Sequence, residues 1–305
     1  MAYPKFVTIF EAGARDGLQN VKDVIVPTDV RVELIDRLTD CGIPKIEAGS
    51  FVSPKWVPQM ADTAEVLSRI RRGKDVVYTV LTPNMKGYQQ AAENNCEEVI
   101  IFAAATESFS QANTNCSIAE SLERMKPVAD AALAEGRAVR GVVSVVLGCP
   151  FEGEVEAERV AEVTRELWKM GCYEVCLGDT IGTGTPVKAQ KLIEAVARDV
   201  PIEKIALHFH DTYGQSLANI LAGLEMGVPT IDAAVAGLGG CPYSPGATGN
   251  VATEDVVFML NGMGIETGVD LDALVDTGWW ISEKIGRRPA SRVAHAIMSK
   301  RKRAA

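Results

Sequence analysis

KMGCYEVCLGD, residues 169–179, reads as a helix end, a turn on glycine and a buried strand. The same joint stands at DCGIPKIEAGS (40–50) and at LEMGVPTIDAA (224–234). A glycine just past an apolar helix end is a stop signal, because it enters the left-handed backbone region without a Cβ clash. The run behind it is nearly all apolar instead of alternating, as in parallel strands covered on both faces. A helix feeding such a strand, repeated along one chain, is the βα unit.

Working outward, eight runs fit the strand pattern: FVTIFE (6–11), KIEAGS (45–50), VVYTVL (76–81), EEVIIFAA (97–104), RGVVSVVL (140–147), YEVCLGD (173–179), KIALHFH (204–210) and TIDAAVAG (230–237). Helical windows separate them. After Thr28, residues Val30, Leu34, Leu38 and Cys41 form one stripe, closed by Gly42. Ser117 with Glu120 is a capping box. Eight βα units in 305 residues predict an α/β fold of the (β/α)8 TIM-barrel type. The barrel is expected over about 5–265, with additional C-terminal helices over about 266–305, all in one domain spanning 1–305. A doubly wound sheet would carry a GxGxxG turn after its first strand, and EAGARDGLQN (11–20) is not one.

The net charge of −9 disfavours a nucleic-acid partner, and no apolar run is long enough for a bilayer. The basic run Lys300–Arg303 reads as a solvated terminus. Seven cysteines without a CxxC pair, most in apolar surroundings such as Cys41, Cys96, Cys172 and Cys176, read as reduced thiols. MAYPKFVTIF has no basic n-region, so a cytoplasmic location is expected.

In this barrel, chemistry sits at the C-terminal ends of the strands. Two of the chain's three histidines, His208 and His210, stand in IALHFHDTYGQ (205–215). Residues i and i+2 of a strand share a face, so both imidazoles reach one cation or, alternatively, are two hydrogen-bonded histidines at a strand end. His295, in the tail, is incidental to either reading. Asp16, after strand one, is the natural carboxylate partner, and Asn250 offers an amide oxygen. Two nitrogen and two oxygen ligands suit Mg²⁺ or Mn²⁺ better than structural zinc. Arg15 reads either as a salt-bridge partner of Asp16 or as a cation that stabilises an oxyanion. Glu47 either holds Arg15 or pairs with Lys45, which shares its face. The loop GLGGCPYSPGATGN (237–250) is a rigid turn or a lid, and its Cys241 is not in the setting of an inert core thiol.

These residues lie in stretches that resemble the 3-hydroxy-3-methylglutaryl-CoA lyases, a family of the metal-dependent barrel lyases and Claisen-type synthases. The stretches are RDGLQN (15–20), IEAGSFVSPKWVPQMAD (46–62), NCSIAESLERM (115–125), LGCPFEG (147–153), LGDTIGTGTP (177–186), HFHDTYGQSLAN (208–219) and AGLGGCPYSPGATGNVATEDVVFML (236–260). The resemblance implies a retro-Claisen cleavage of 3-hydroxy-3-methylglutaryl-CoA to acetyl-CoA and acetoacetate. It implies Asp16, His208, His210 and Asn250 as ligands of Mg²⁺ or Mn²⁺, Arg15 as the enolate-stabilising cation and Glu47 as its support. It further implies Cys241 in proton transfer, Gln19, Ser50 and Asp179 near the acyl group, and a homodimer. The base that takes the hydroxyl proton is Asp16 or His208. Three residues depart from the family pattern. Ala14 replaces a frequent Pro and Phe209 a frequent Cys, neither touching ligation; Cys176 replaces Ser and is expected to bear on acyl selectivity. The tail RVAHAIMSKRKRAA carries no cysteine, so no thiol regulation is expected there. The same motifs fit a lyase for a related 3-hydroxy-acyl-CoA, such as citramalyl-CoA or a longer branched homologue. A Claisen-type synthase fits less well, since those enzymes lack the cysteine loop, and a catalytically dead scaffold would have lost ligands that are present here.

Overall fold

A computed structural model describes residues 3–21, 24–240 and 249–304, and its strands close in chain order into a barrel of parallel pairs. The strands are β1 (Thr8–Glu11), β2 (Lys45–Ser50), β3 (Val77–Leu81), β4 (Glu98–Ala104), β5 (Ala138–Ser144), β6 (Glu174–Asp179), β7 (Ile205–Phe209) and β8 (Thr230–Ala233). The helices of the βα units are α1 (Thr28–Asp40), α2 (Thr63–Arg69), α3 (Met85–Glu93), α4 (Glu107–Thr114), α5 (Ile118–Ala134), α6 (Ala157–Lys169), α7 (Pro186–Val196), α8 (Ser216–Glu225) and α9 (Thr253–Gly262). Then α10 (Leu271–Lys284) and α11 (Arg292–Ala304) follow as the C-terminal additions. Closure is made by β1 on β8, from Thr8 beside Thr230 to Glu11 beside Ala233. Among the described residues no helix is long and apolar enough to cross a membrane.

The glycine joints behave as their sequence requires. Gly42, Gly171 and Gly227 have φ of +82°, +91° and +98°. At α1 the Gly42 N–H bonds to the Thr39 carbonyl and the Ile43 N–H to the Leu38 carbonyl, the paired bonds of a left-handed helix stop. The same pair recurs after α8, from Gly227 to Leu224 and from Val228 to Gly223. The strands that follow are buried: every residue of β6 and β8, and all of β2 past Lys45. The capping box at α5 is formed in both directions.

Three local readings change. β5 begins at Ala138 and stops at Ser144, because Val145 turns to φ +57°. β8 stops at Ala233, because two buried carboxylates capture the next amides: Glu11 takes Val235 N–H (2.9 Å) and Glu254 takes Ala236 N–H (2.9 and 3.0 Å). On α1, Leu34, Leu38 and Cys41 are buried as the stripe predicts, but so is Arg31, which pairs with Asp62 and donates to the Gln59 carbonyl at 3.0 Å.

Candidate active site

The strand ends bring Asp16, His208 and His210 together, with their ligand atoms all within 4.8 Å of one another. Asp16 comes from a π-helical turn, Gly13–Gly17, that follows β1. His208 is in β7 and His210 just beyond it, so alternation aims both imidazoles the same way. Their Nε2 atoms lie 3.3 Å apart, and Asp16 Oδ2 is 3.8 Å from one and 3.7 Å from the other. Asp16 and His208 keep 14% and 13% of their side-chain surface open, enough for a substrate oxygen to reach them.

Asn250 closes the group through its amide nitrogen, which donates to Asp16 Oδ2 at 2.8 Å and to the Leu238 carbonyl at 3.1 Å. Burial works against ionised Asp16, but the charge of Arg15 and the two imidazoles hold its pKa far below the usual carboxylate range. Burial likewise opposes a charged His208, yet the hydrogen bond with Asp232 and the charge of Asp16 raise its pKa.

Arg15 stands beside this group. Its Nη1 donates to Asp16 at 2.8 Å and its Nε lies 2.6 Å from Glu47 Oε1. Of the two sequence readings of Glu47, the contact with Arg15 is the one formed. Lys45 turns instead to the Tyr173 hydroxyl at 2.6 Å and Glu98 at 3.9 Å. Arg15 is 12% exposed and Glu47 1%, so the cation faces the opening and the carboxylate backs it.

The expected acyl-contact residues diverge. Ser50, buried at the end of β2, donates to the Leu81 carbonyl at 3.3 Å. Gln19 is half-buried just past the Gly13–Gly17 turn. Asp179 is fully buried, and its carboxylate accepts from Thr183 N–H (3.3 Å) and Gly184 N–H (2.8 Å), shaping the loop after β6. Its pKa is raised by burial, against the pull of those amides. Asp179 thus binds its own loop. Cys241 lies outside the described residues. The base of its loop is tied by Asn20, whose Nδ2 donates to the Gly240 carbonyl at 3.0 Å.

A second group with metal-ligand chemistry, Cys176–His208–Asp232, lies next to the first. It does not suit a cation, because Arg140 already donates to both oxygens of Asp232, at 2.9 and 2.7 Å. Burial also pushes the Cys176 thiol well up, keeping it protonated, and it donates to Asp232 at 3.4 Å. Cys176 is therefore fully buried against Asp232. Arg140 and Asp232 were not singled out from sequence. The available signal was a charge in each of two largely apolar runs, Arg140 opening RGVVSVVL and Asp232 inside TIDAAVAG.

The first group does fit a divalent cation. Two imidazole nitrogens and a carboxylate oxygen converge, and His208 Nδ1 is engaged by Asp232 at 3.3 Å, which leaves Nε2 as the free donor.

The HMGL-like family pattern matches residues 6–281. "Hydroxymethylglutaryl-CoA lyase, mitochondrial" of Gallus gallus is 57% identical over 295 residues, covering 97% of this chain and 99% of its own. "3-hydroxy-3-isohexenylglutaryl-CoA/hydroxy-methylglutaryl-CoA lyase" of Pseudomonas aeruginosa is 56% identical over 300 residues, covering 98% and 100%. A crystal structure of hydroxymethylglutaryl-CoA lyase from Pseudomonas aeruginosa superposes with a TM-score of 0.96 at 54% identity, over 98% of this chain and 100% of its own. With the family pattern covering residues 6–281 and a relative 57% identical over nearly the whole of both chains, the chain belongs to the HMGL-like family.

Proposed function

We propose that this protein is a carbon–carbon lyase that cleaves 3-hydroxy-3-methylglutaryl-CoA to acetyl-CoA and acetoacetate with a divalent cation. The observation that carries the reading is the convergence of Asp16, His208 and His210 at the barrel mouth beside Arg15, in a chain more than half identical to lyases of that name. Asp16, His208 and His210 would hold Mg²⁺ or Mn²⁺, with Asn250 alongside. The ion supplies Lewis acidity toward the substrate's C3 hydroxyl oxygen.

The remaining work falls to the chain's own groups. Asp16 or His208 takes the C3 hydroxyl proton. As C3 becomes a ketone, the C2–C3 bond breaks and its electron pair moves into the thioester enolate. Arg15, aimed by Glu47, stabilises the enolate oxygen where that charge collects. Cys241 delivers a proton to C2, giving acetyl-CoA. Gln19 and Ser50 lie near the acyl group, and Asp179 acts there through the loop it shapes. A cytoplasmic homodimer completes the proposal, and sedimentation of the purified protein checks the dimer.

The test is acetyl-CoA release from 3-hydroxy-3-methylglutaryl-CoA after EDTA treatment, with and without restored Mg²⁺ or Mn²⁺. Release only with metal is expected; a protein that binds metal yet releases nothing overturns the substrate. The two-substrate name of the Pseudomonas relative favours one comparison. A longer branched 3-hydroxyglutaryl-CoA, assayed beside citramalyl-CoA, shows how far the acyl pocket extends.

A further inference from the structure

Beneath the histidines lies a buried set of side chains that the cleavage chemistry leaves unused. Asp232 in β8 sits at its centre. Both Nη atoms of Arg140 in β5 donate to it, the thiol of Cys176 in β6 donates to it, and its Oδ2 meets His208 Nδ1 of β7 at 3.3 Å. β5 and β8 are not neighbours in the ring, so the Arg140–Asp232 contact crosses the barrel interior. Arg140 is itself fixed. Its Nε donates to Glu174 at 2.8 Å, Glu174 accepts from the Thr230 hydroxyl at 2.7 Å, and the guanidinium lies 4.0 Å over the Phe10 ring.

This geometry constrains a proton. A guanidinium has donors only, and it occupies both oxygens of Asp232, so the carboxylate stays ionised and cannot rotate. An ionised carboxylate only accepts. The neutral imidazole of His208 must therefore carry its hydrogen on Nδ1. Its Nε2 lone pair then points at His210 and Asp16. His210 has no such support among the described residues, where its buried Nδ1 has no hydrogen-bond partner.

We propose that Asp232, clamped by Arg140, is a positioning residue that sets the tautomer and ring orientation of His208 and strengthens its Nε2 as a donor to a divalent cation. The inference rests on the cation reading above and deepens it. It holds for either role open to His208, because a ligand and a base both need the Nε2 lone pair. A purely structural Arg140–Asp232 pair would brace the barrel without dictating where the His208 proton sits. The magnitude expected for such a carboxylate behind a metal-bound histidine is about 10–100-fold in metal affinity.

Two measurements test it. The chain has only three histidines, so ¹⁵N-histidine NMR of the metal-free wild-type protein gives three resolvable rings. At a pH high enough for the ring to be neutral, His208 protonated at Nδ1 is expected; a neutral ring with its proton on Nε2 overturns the proposal. The second is Mn²⁺ titration by calorimetry of wild type, Asp232→Asn and Cys176→Ala, each checked for folding by circular dichroism. Asparagine retains an acceptor for His208 but removes the charge, so Asp232→Asn should bind Mn²⁺ about 10–100-fold more weakly. Cys176→Ala leaves that charge in place and should bind as wild type does. Wild-type affinity in folded Asp232→Asn overturns the proposal. If Asp232→Asn fails to fold, the tautomer decides alone. If wild type binds no Mn²⁺, the cation reading falls and the tautomer still judges the clamp.

Discussion

Arg15 has two acidic neighbours and an open face, which is the arrangement of a cation meant for a third negative partner. Arg15→Gln should lower kcat by about 10²–10³-fold, or about 3–4 kcal/mol of transition-state stabilisation, with a smaller change in KM. Steady-state kinetics of the metal-loaded protein checks this. Asp179 behaves differently. Its carboxylate accepts two loop amides, so Asp179→Asn sets an NH₂ against at least one of them. A loss of about 1–3 kcal/mol in urea unfolding is expected, because a buried donor is left unpaired. Activity should fall along with the loop's order. The two residues look alike in sequence, each a charge at a strand end. What each side chain faces is decided by which backbone amides the following loop turns toward it.

Among the elements, the helix-to-strand joints are not equally tolerant. A Cβ on Gly42 would meet the Gly268 carbonyl oxygen at 2.5 Å, whereas one on Gly227 meets nothing within 4 Å. Gly227→Ala should cost only the left-handed backbone strain, about 1–2 kcal/mol, and Gly42→Ala distinctly more. Denaturant midpoints of the two variants check the order. These joints were legible because a helix stop and an all-apolar strand are local patterns. So were the paired histidines, since alternation alone aims them. Arg31 was not legible: its partner Asp62 lies on the next βα unit, and a single sequence carries no sign of that contact. The end of β8 was hidden for the same reason, as Glu11 is 224 residues away from the amide it captures. The orientation of Asn250 depends on Leu238 and Asp16 at once, which composition and spacing do not reveal.

At the scale of the whole molecule, buried carboxyls tie stability to pH. Burial pushes Glu11 up to about 7 and Glu254 up to about 8, despite the amide and hydroxyl donors they hold. The folded state then keeps protons that the unfolded chain has released above its ordinary value of 4.5. Their contribution is full below that value and is lost as pH rises through about 7 to 8. Asp232, opposed by burial but held at about 2 by Arg140, acts oppositely, and its contribution is lost as pH falls through about 2. Unfolding midpoints should therefore decline from about pH 5 to about pH 8. Glu11→Gln should flatten that slope. Its oxygen still accepts from Gly13 and Val235, and its NH₂ still meets the Thr253 hydroxyl. Saturating Mn²⁺ should raise wild-type stability by about 2.7 kcal/mol at 100 times Kd, read as a shift in Tm. The buried ion pairs also divide the chain unexpectedly. Lys45–Glu98, Arg15–Glu47 and Arg31–Asp62 lie before Gly136, while Arg140–Glu174, Arg140–Asp232 and His208–Asp232 lie after it. Each half-barrel thus brings its own counter-charges. Asp16, however, belongs to one half, and His208, His210 and Asn250 to the other. Cut at Gly136, the two fragments should each keep these ion pairs and re-form across their seam the bonds of Glu11 with Val235 and of Asn250 with Asp16, and divalent ion should act as the rivet there.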